Sequence, residues 1–143
     1  GVSLAGQRCR GVAGRSGVAG AAVHNSVGPA CVEAGLTQEW HPPGHAAFAT
    51  SRSGKQPYDP AELAYGAQVL WPDHCVQGTA DAALHADLHV PQAQLIVRKG
   101  FHAGVDSYSA FQEADRKTPT GLDGYLRQRG ISRLFITGLA AGF

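Results

Sequence analysis

Gln94-Leu95-Ile96-Val97-Arg98, then Thr118-Pro119-Thr120-Gly121-Leu122-Asp123-Gly124-Tyr125-Leu126-Arg127-Gln128-Arg129-Gly130, then Arg133-Leu134-Phe135-Ile136-Thr137-Gly138 is the part of the chain that decides the fold. The first and last pieces are short apolar runs of the kind that form buried strands. Between them the spacing predicts a helix over 118–129. Leu122, Tyr125 and Leu126 form its apolar stripe, Thr120 is its expected N-cap, and Gly130 closes it. Strand, helix, strand in that order predicts a βαβ unit and a parallel sheet, hence an α/β fold. In such sheets the chemistry collects beyond the carboxyl ends of the strands. Three segments leave expected strand ends: after Gln38, after Arg98 and after Thr137.

Leu36–Trp40 leads into His41-Pro42-Pro43-Gly44-His45, a strand end opening into a Pro/Gly-punctuated loop. Alternation along an extended segment puts Glu39 and His41 on one side. With His74 they could form a His/His/carboxylate face suited to iron, manganese or zinc. The other reading of these histidines is a set of solvated loop side chains. At the second strand end Lys99 is either a catalytic lysine or a surface one. At the third, Gly138-Leu139-Ala140 is small enough to turn tightly and present N–H groups, as an oxyanion hole or as a plain turn. Residues 52–80 read as a long ordered loop with short extended pieces, and 81–88 as one or two helical turns.

With 143 residues, 43% of them hydrophobic, the chain can bury one core. A net charge of +1 points to neither a nucleic-acid nor a membrane partner. Three widely spaced cysteines, Cys9, Cys31 and Cys75, make a poor disulfide framework, so a reducing, cytoplasmic setting is expected. Residues 1–32 carry no Asp or Glu and show no clean period. They are read as an irregular segment, a targeting peptide, or text out of its reading frame. The expected organisation is therefore an atypical segment over 1–34 and a catalytic-type domain over 35–143. A chain that opens at Gly1 without methionine is expected to be a processed product or a fragment.

Taken together, these segments resemble the nicotinamidase/pyrazinamidase branch of the isochorismatase-like hydrolases. Thr37 through His45, Tyr65 through Thr79, Val97 through Gly100, Val105 through Phe111, and Thr118 through Leu122 with the helix after it carry the likeness. The resemblance spans roughly 36–143. It implies a three-layer α/β/α fold around a parallel sheet, expected to be incomplete in this chain. It implies an amidase converting nicotinamide, and plausibly pyrazinamide, to nicotinate and ammonia in NAD salvage. It places one divalent metal ion on Glu39, His41 and His74, with His45 as an extra candidate ligand. Trp71 and Tyr108 fall on the substrate-binding aromatics, Lys99 on the catalytic lysine, and Ala140 on the oxyanion hole. A homo-oligomer is compatible with it.

The departures from the family pattern are equally specific. The family's third strand ends in a Gly-x-Ala-Thr-Asp-aromatic-Cys run, whereas Gly138-Leu139-Ala140-Ala141-Gly142-Phe143 stops before the cysteine nucleophile. A Val-Asp-x-Gln motif carrying the aspartate that activates that thiol is absent. The chain as written is therefore expected to be inactive, its sheet short of the first, central strand. Glu39 stands where aspartate is usual, which implies weaker metal binding than an aspartate would give. A non-catalytic relative that keeps a metal and nicotinamide pocket is the alternative reading.

Overall fold

The computed structural model describes residues 9–13 and 31–136. Ala140 and the expected strand-to-turn segment around it lie outside these residues, as does most of 1–30. The described strands are β1 (Cys9–Ala13), β2 (Cys31–Glu39), β3 (Pro60–Leu63), β4 (Gly66–Val69), β5 (Ala93–Lys99) and β6 (Leu134–Ile136), with one helix, α1 (Leu122–Gln128). The chain divides into two compact units. A sheet unit takes residues up to Gln38, Leu84–Arg98 and those from Gly121 on; a loop unit takes Glu39–Ala83 and Lys99–Thr120.

In the sheet unit the strands lie in the order β5-β2-β1-β6. β1 pairs in parallel with both β2 and β6, Val12 standing opposite Gly35 on one side and Ile136 on the other. The architecture is thus part of a parallel-sheet α/β fold. The expected gap in the middle of the sheet is filled by Cys9–Ala13, from the segment in which no period was legible. β2 runs through the 34/35 boundary without a break and begins five residues before the expected Leu36.

Six consecutive β2 residues, Glu33, Ala34, Leu36, Thr37 and Gln38 with Gly35 among them, are buried. Burial on both faces is what a central strand of a parallel sheet requires. Val97 of β5 and Leu122 and Leu126 of α1 join them in the core. The Glu33 carboxylate, which would be costly to bury alone, accepts from Arg129 Nε at 3.2 Å and Nη2 at 3.0 Å. The helix is shorter than 118–129. Its cap is Gly121, at φ +90°, a left-handed conformation that glycine adopts without cost. Thr120 does not cap; its hydroxyl donates instead to the Ala110 carbonyl at 2.5 Å.

The loop unit is held by short-range pairing. β3 and β4 form an antiparallel hairpin, Leu63 opposite Gly66, inside the stretch read as a long ordered loop with short extended pieces. Only a 3-10 turn, Ala80–Ala82, forms where one or two helical turns were expected. Ala47, Phe48, Ala49, Leu70 and Cys75 make this unit's apolar core, with the buried His41 and His45 among them.

Candidate metal and substrate site

Beyond the last residue of β2, the backbone is pinned at each step. Trp40 N–H donates to the Lys99 carbonyl at 3.0 Å, His41 N–H to the Cys75 carbonyl at 3.0 Å, and Gln77 N–H to the His41 carbonyl at 2.8 Å. The 71–79 segment therefore lies alongside His41 and brings His74 to it, ring centroids 4.9 Å apart. Phe48, fully buried, packs against His41, His45 and His74, each centroid 5.5 Å away. Trp71 is fixed from the other side: its N–H donates to the Ala47 carbonyl and its carbonyl accepts from Ala49 N–H.

These constraints place Glu39, His41, Trp71, His74 and Tyr108 around one cavity of about 190 Å³, together with Asp106 and Ser107. Trp71 Nε1–H donates to the Tyr108 hydroxyl at 2.9 Å, joining the two aromatics. Lys99 is buried, donates to the Ser107 carbonyl at 3.4 Å, and forms an ion pair with Glu39 through Oε1. Burial pulls its ammonium down to about 8, with Asp106 and Glu113 opposing the shift.

The histidines differ in which nitrogen is spoken for. His41 Nδ1 lies 3.1 Å from the Gly100 carbonyl. A carbonyl only accepts, so the proton sits on Nδ1 and the lone pair on Nε2. His74 repeats the pattern, Nδ1 donating to the Pro72 carbonyl at 2.8 Å. Burial first, then the neighbouring His45 and His74, lowers His41 to about 4, so the neutral ring prevails at neutral pH. Its Nε2 faces Glu39 Oε2 at 3.5 Å. That oxygen is buried and has no hydrogen-bond partner. Two acceptors facing each other across such a gap are relieved by a bound cation, which both can ligate. A histidine that donates its far N–H to a backbone carbonyl while its other nitrogen points inward is also the usual arrangement around a bound metal. The residues present fit a divalent metal ion.

His45 is different. Its Nε2 donates to the carbonyls of His102 at 3.0 Å and Val105 at 3.1 Å, while Nδ1 accepts from Ala47 N–H at 3.2 Å. Ligand atoms of His41, His45 and Asp106 all lie within 4.8 Å of one another. Both nitrogens of His45 are nonetheless engaged by backbone, so its ring is a strut of the loop.

Asp106 escaped the sequence reading. Its position is set from far along the chain: Oδ2 accepts from Gln68 Nε2 at 2.7 Å, and its N–H donates to the Tyr65 hydroxyl at 3.1 Å. The Tyr65 hydroxyl in turn donates to Gln68 Oε1 at 2.8 Å, closing the ring. No spacing rule shows such a triangle. Cys75 is buried and does not line the cavity.

Comparison with known proteins gives the family of the chain. The chain is 61% identical over 108 residues to a nicotinamidase of Acinetobacter baylyi, covering 76% of this chain and 50% of that protein. This chain is a nicotinamidase homologue. It is 43% identical over 107 residues to the Escherichia coli nicotinamidase, covering 75% of this chain and 50% of that one. Among solved structures, an Acinetobacter baumanii nicotinamidase and pyrazinamidase superposes with a TM-score of 0.77 at 50% identity, over 84% of this chain and 65% of that one. A Leishmania infantum relative, described as "PnC1 from L. infantum in complex with nicotinate", gives 0.66 at 32% identity, over 83% and 60%. The chain spans about half the length of the curated relatives it matches. No protein-family model matches it. Among the described residues no helix is long and apolar enough to cross a membrane.

Proposed function

We propose that the protein carrying this chain hydrolyses the carboxamide of nicotinamide to nicotinate and ammonia, in cytoplasmic pyridine-nucleotide salvage. The observation that carries the reading is the 3.5 Å approach of His41 Nε2 to the unpartnered Glu39 Oε2, in a cavity bordered by Trp71 and Tyr108. Glu39, His41 and His74 would hold one divalent ion of zinc, iron or manganese. When bound, such an ion supplies a Lewis-acidic anchor for a ligand such as a ring nitrogen.

The chain's own side chains do the rest of the positioning. Trp71 and Tyr108, locked together by their hydrogen bond, form an aromatic wall for a planar ring. Lys99 stays protonated at neutral pH, and its ion pair with Glu39 holds that carboxylate at the cavity wall. The oxyanion-hole role expected of Ala140 falls outside the described residues. The attacking thiol is not Cys75, which is buried away from the cavity. A second reading, resting on the same lining of metal-ligating and aromatic side chains, is a pocket that binds nicotinamide without turning it over.

Calorimetry on the full chain tests both. Nicotinamide should bind in the presence of zinc and not after chelation. Benzamide, which lacks the ring nitrogen, should bind at least ~10-fold more weakly, because the ligand site meant for that nitrogen goes unfilled. Equal binding of the two amides with and without zinc would rule the proposal out. Selective binding with no ammonia release would establish the non-catalytic reading.

A further inference from the structure

The Glu113 carboxylate is buried, though nothing in its local sequence calls for a buried charge. It does not line the metal cavity. Its two oxygens share one backbone donor, Gly100 N–H, at 3.2 and 3.3 Å. The segment around Gly100 is held on three sides. The Lys99 carbonyl accepts from Trp40 N–H, Gly100 N–H donates to Glu113, and the Gly100 carbonyl accepts from His41 Nδ1–H. Gly100 sits at φ +65°, and a Cβ there would meet His41 Cε1 at 2.3 Å and Nδ1 at 2.5 Å. The glycine is what lets backbone and imidazole come this close, and it also leaves this backbone free to rotate unless something else holds it.

We propose that Glu113 is a positioning residue for the metal site: by gripping Gly100 N–H it aims the Gly100 carbonyl at His41 Nδ1 and so keeps the Nε2 lone pair turned toward Glu39. The inference rests on the metal reading above. It assigns to Glu113 reach and acceptor geometry, and not charge, as the property that matters. Loss of a supporting hydrogen bond of this kind typically costs 10–100-fold in metal affinity.

The test separates reach from charge on the full chain. Glu113→Gln keeps the reach and an acceptor oxygen but removes the charge; Glu113→Asp keeps the charge but is one carbon short. Zinc affinity is read by competition with a chromogenic chelator, folding by circular dichroism. The tautomer of His41 is read, without metal, from ¹⁵N-detected imidazole spectra. The expected result is that the glutamine variant stays within about threefold of the parent while the aspartate variant loses at least tenfold and gains the Nε2-protonated tautomer. Should the aspartate variant fail to fold, the glutamine variant decides alone: retained affinity and retained Nδ1–H tautomer support the proposal, and a tenfold loss overturns it. An aspartate variant that folds and binds zinc like the parent overturns it as well. A parent chain that binds no zinc at all would instead sink the metal reading. The parent's tautomer would still report on Glu113, since an Nε2-protonated His41 refutes the positioning role by itself.

Discussion

Two neighbouring hollows of the loop unit share Tyr108. The larger, of about 620 Å³, runs past Tyr65, Gln68, Val69, Gln112, Glu113 and Arg116; the smaller, of about 190 Å³, is walled by Glu39, His41, Trp71, His74 and Asp106. In the larger one Tyr65, Gln68, Glu113 and Asp115 find their partners within the protein. Gln68 bridges Tyr65 and Asp106, Glu113 holds Gly100 N–H, and Asp115 accepts from Lys117 N–H, Thr118 N–H and the Thr118 hydroxyl. In the smaller one an acceptor, Glu39 Oε2, is left over, 3.5 Å from the Nε2 lone pair of His41. Volume would choose the first hollow. Unfilled bonding capacity chooses the second, and it is the better guide because a buried polar group without a partner is expensive to keep.

The sharpest way to break this contrast is to empty the two hollows in turn. His41→Ala should reduce zinc affinity by ~100-fold or more, beyond the range set by supporting hydrogen-bond partners. Gln112→Ala, on the larger hollow, should leave it within about twofold, surface changes of this kind being near neutral. Comparable losses in chelator competition would mean the smaller hollow is not the metal site. A subtler test uses His45, which borders neither hollow. His45→Ala strands two carbonyls and one N–H and thins the packing around Phe48, so chemical denaturation should show a loss of about 2–3 kcal/mol. The folded variant should bind zinc within about threefold of the parent, whereas loss of a ligand would give far more.

The smallest expected effect lies at the rim of the larger hollow. Three hydrogen bonds to the 117–118 segment hold Asp115 down at about 2, from an ordinary value of 3.8. A depressed carboxyl stabilises the fold above its unfolded value and loses that contribution as pH falls through the folded one. Asp115→Asn should therefore be slightly less stable than the parent at neutral pH, with the gap closing between about pH 4 and pH 2 in urea titrations. A gap independent of pH would show that charge plays no part in that turn.

What could be read from the chain alone follows from where each feature gets its stability. β5 and β6 were legible as short apolar runs and α1 by the helical spacing of Leu122, Tyr125 and Leu126, although Phe135 and Ile136 of β6 are exposed where a buried strand was expected. β1 was not: Cys-Arg-Gly-Val-Ala carries no alternation, and its place between β2 and β6 is set by pairing with residues more than twenty positions away. The β3–β4 hairpin hid behind Pro60, which is tolerated as a first strand residue. At the site, residue identity pointed to Glu39, His41, His74, Trp71, Tyr108 and Lys99, and the structure brings these into one neighbourhood. Sequence spacing cannot say which histidine nitrogen carries a proton, so His45 looked like His41. Nor can it anticipate Asp106, held by Gln68 and Tyr65 from across the loop unit.

The ring of Phe48 touches three imidazoles at once and has no exposed surface. Such an arrangement moves an ordering cost from one event to another. Side chains that would otherwise have to be frozen when an ion arrives are already immobile when the chain has folded, and their lost rotamer freedom is charged against folding stability. The same ring is a shared wall: a change at Phe48 itself removes the packing surface of His41 and His74 at once, so metal affinity and stability should fall together there and not at His45.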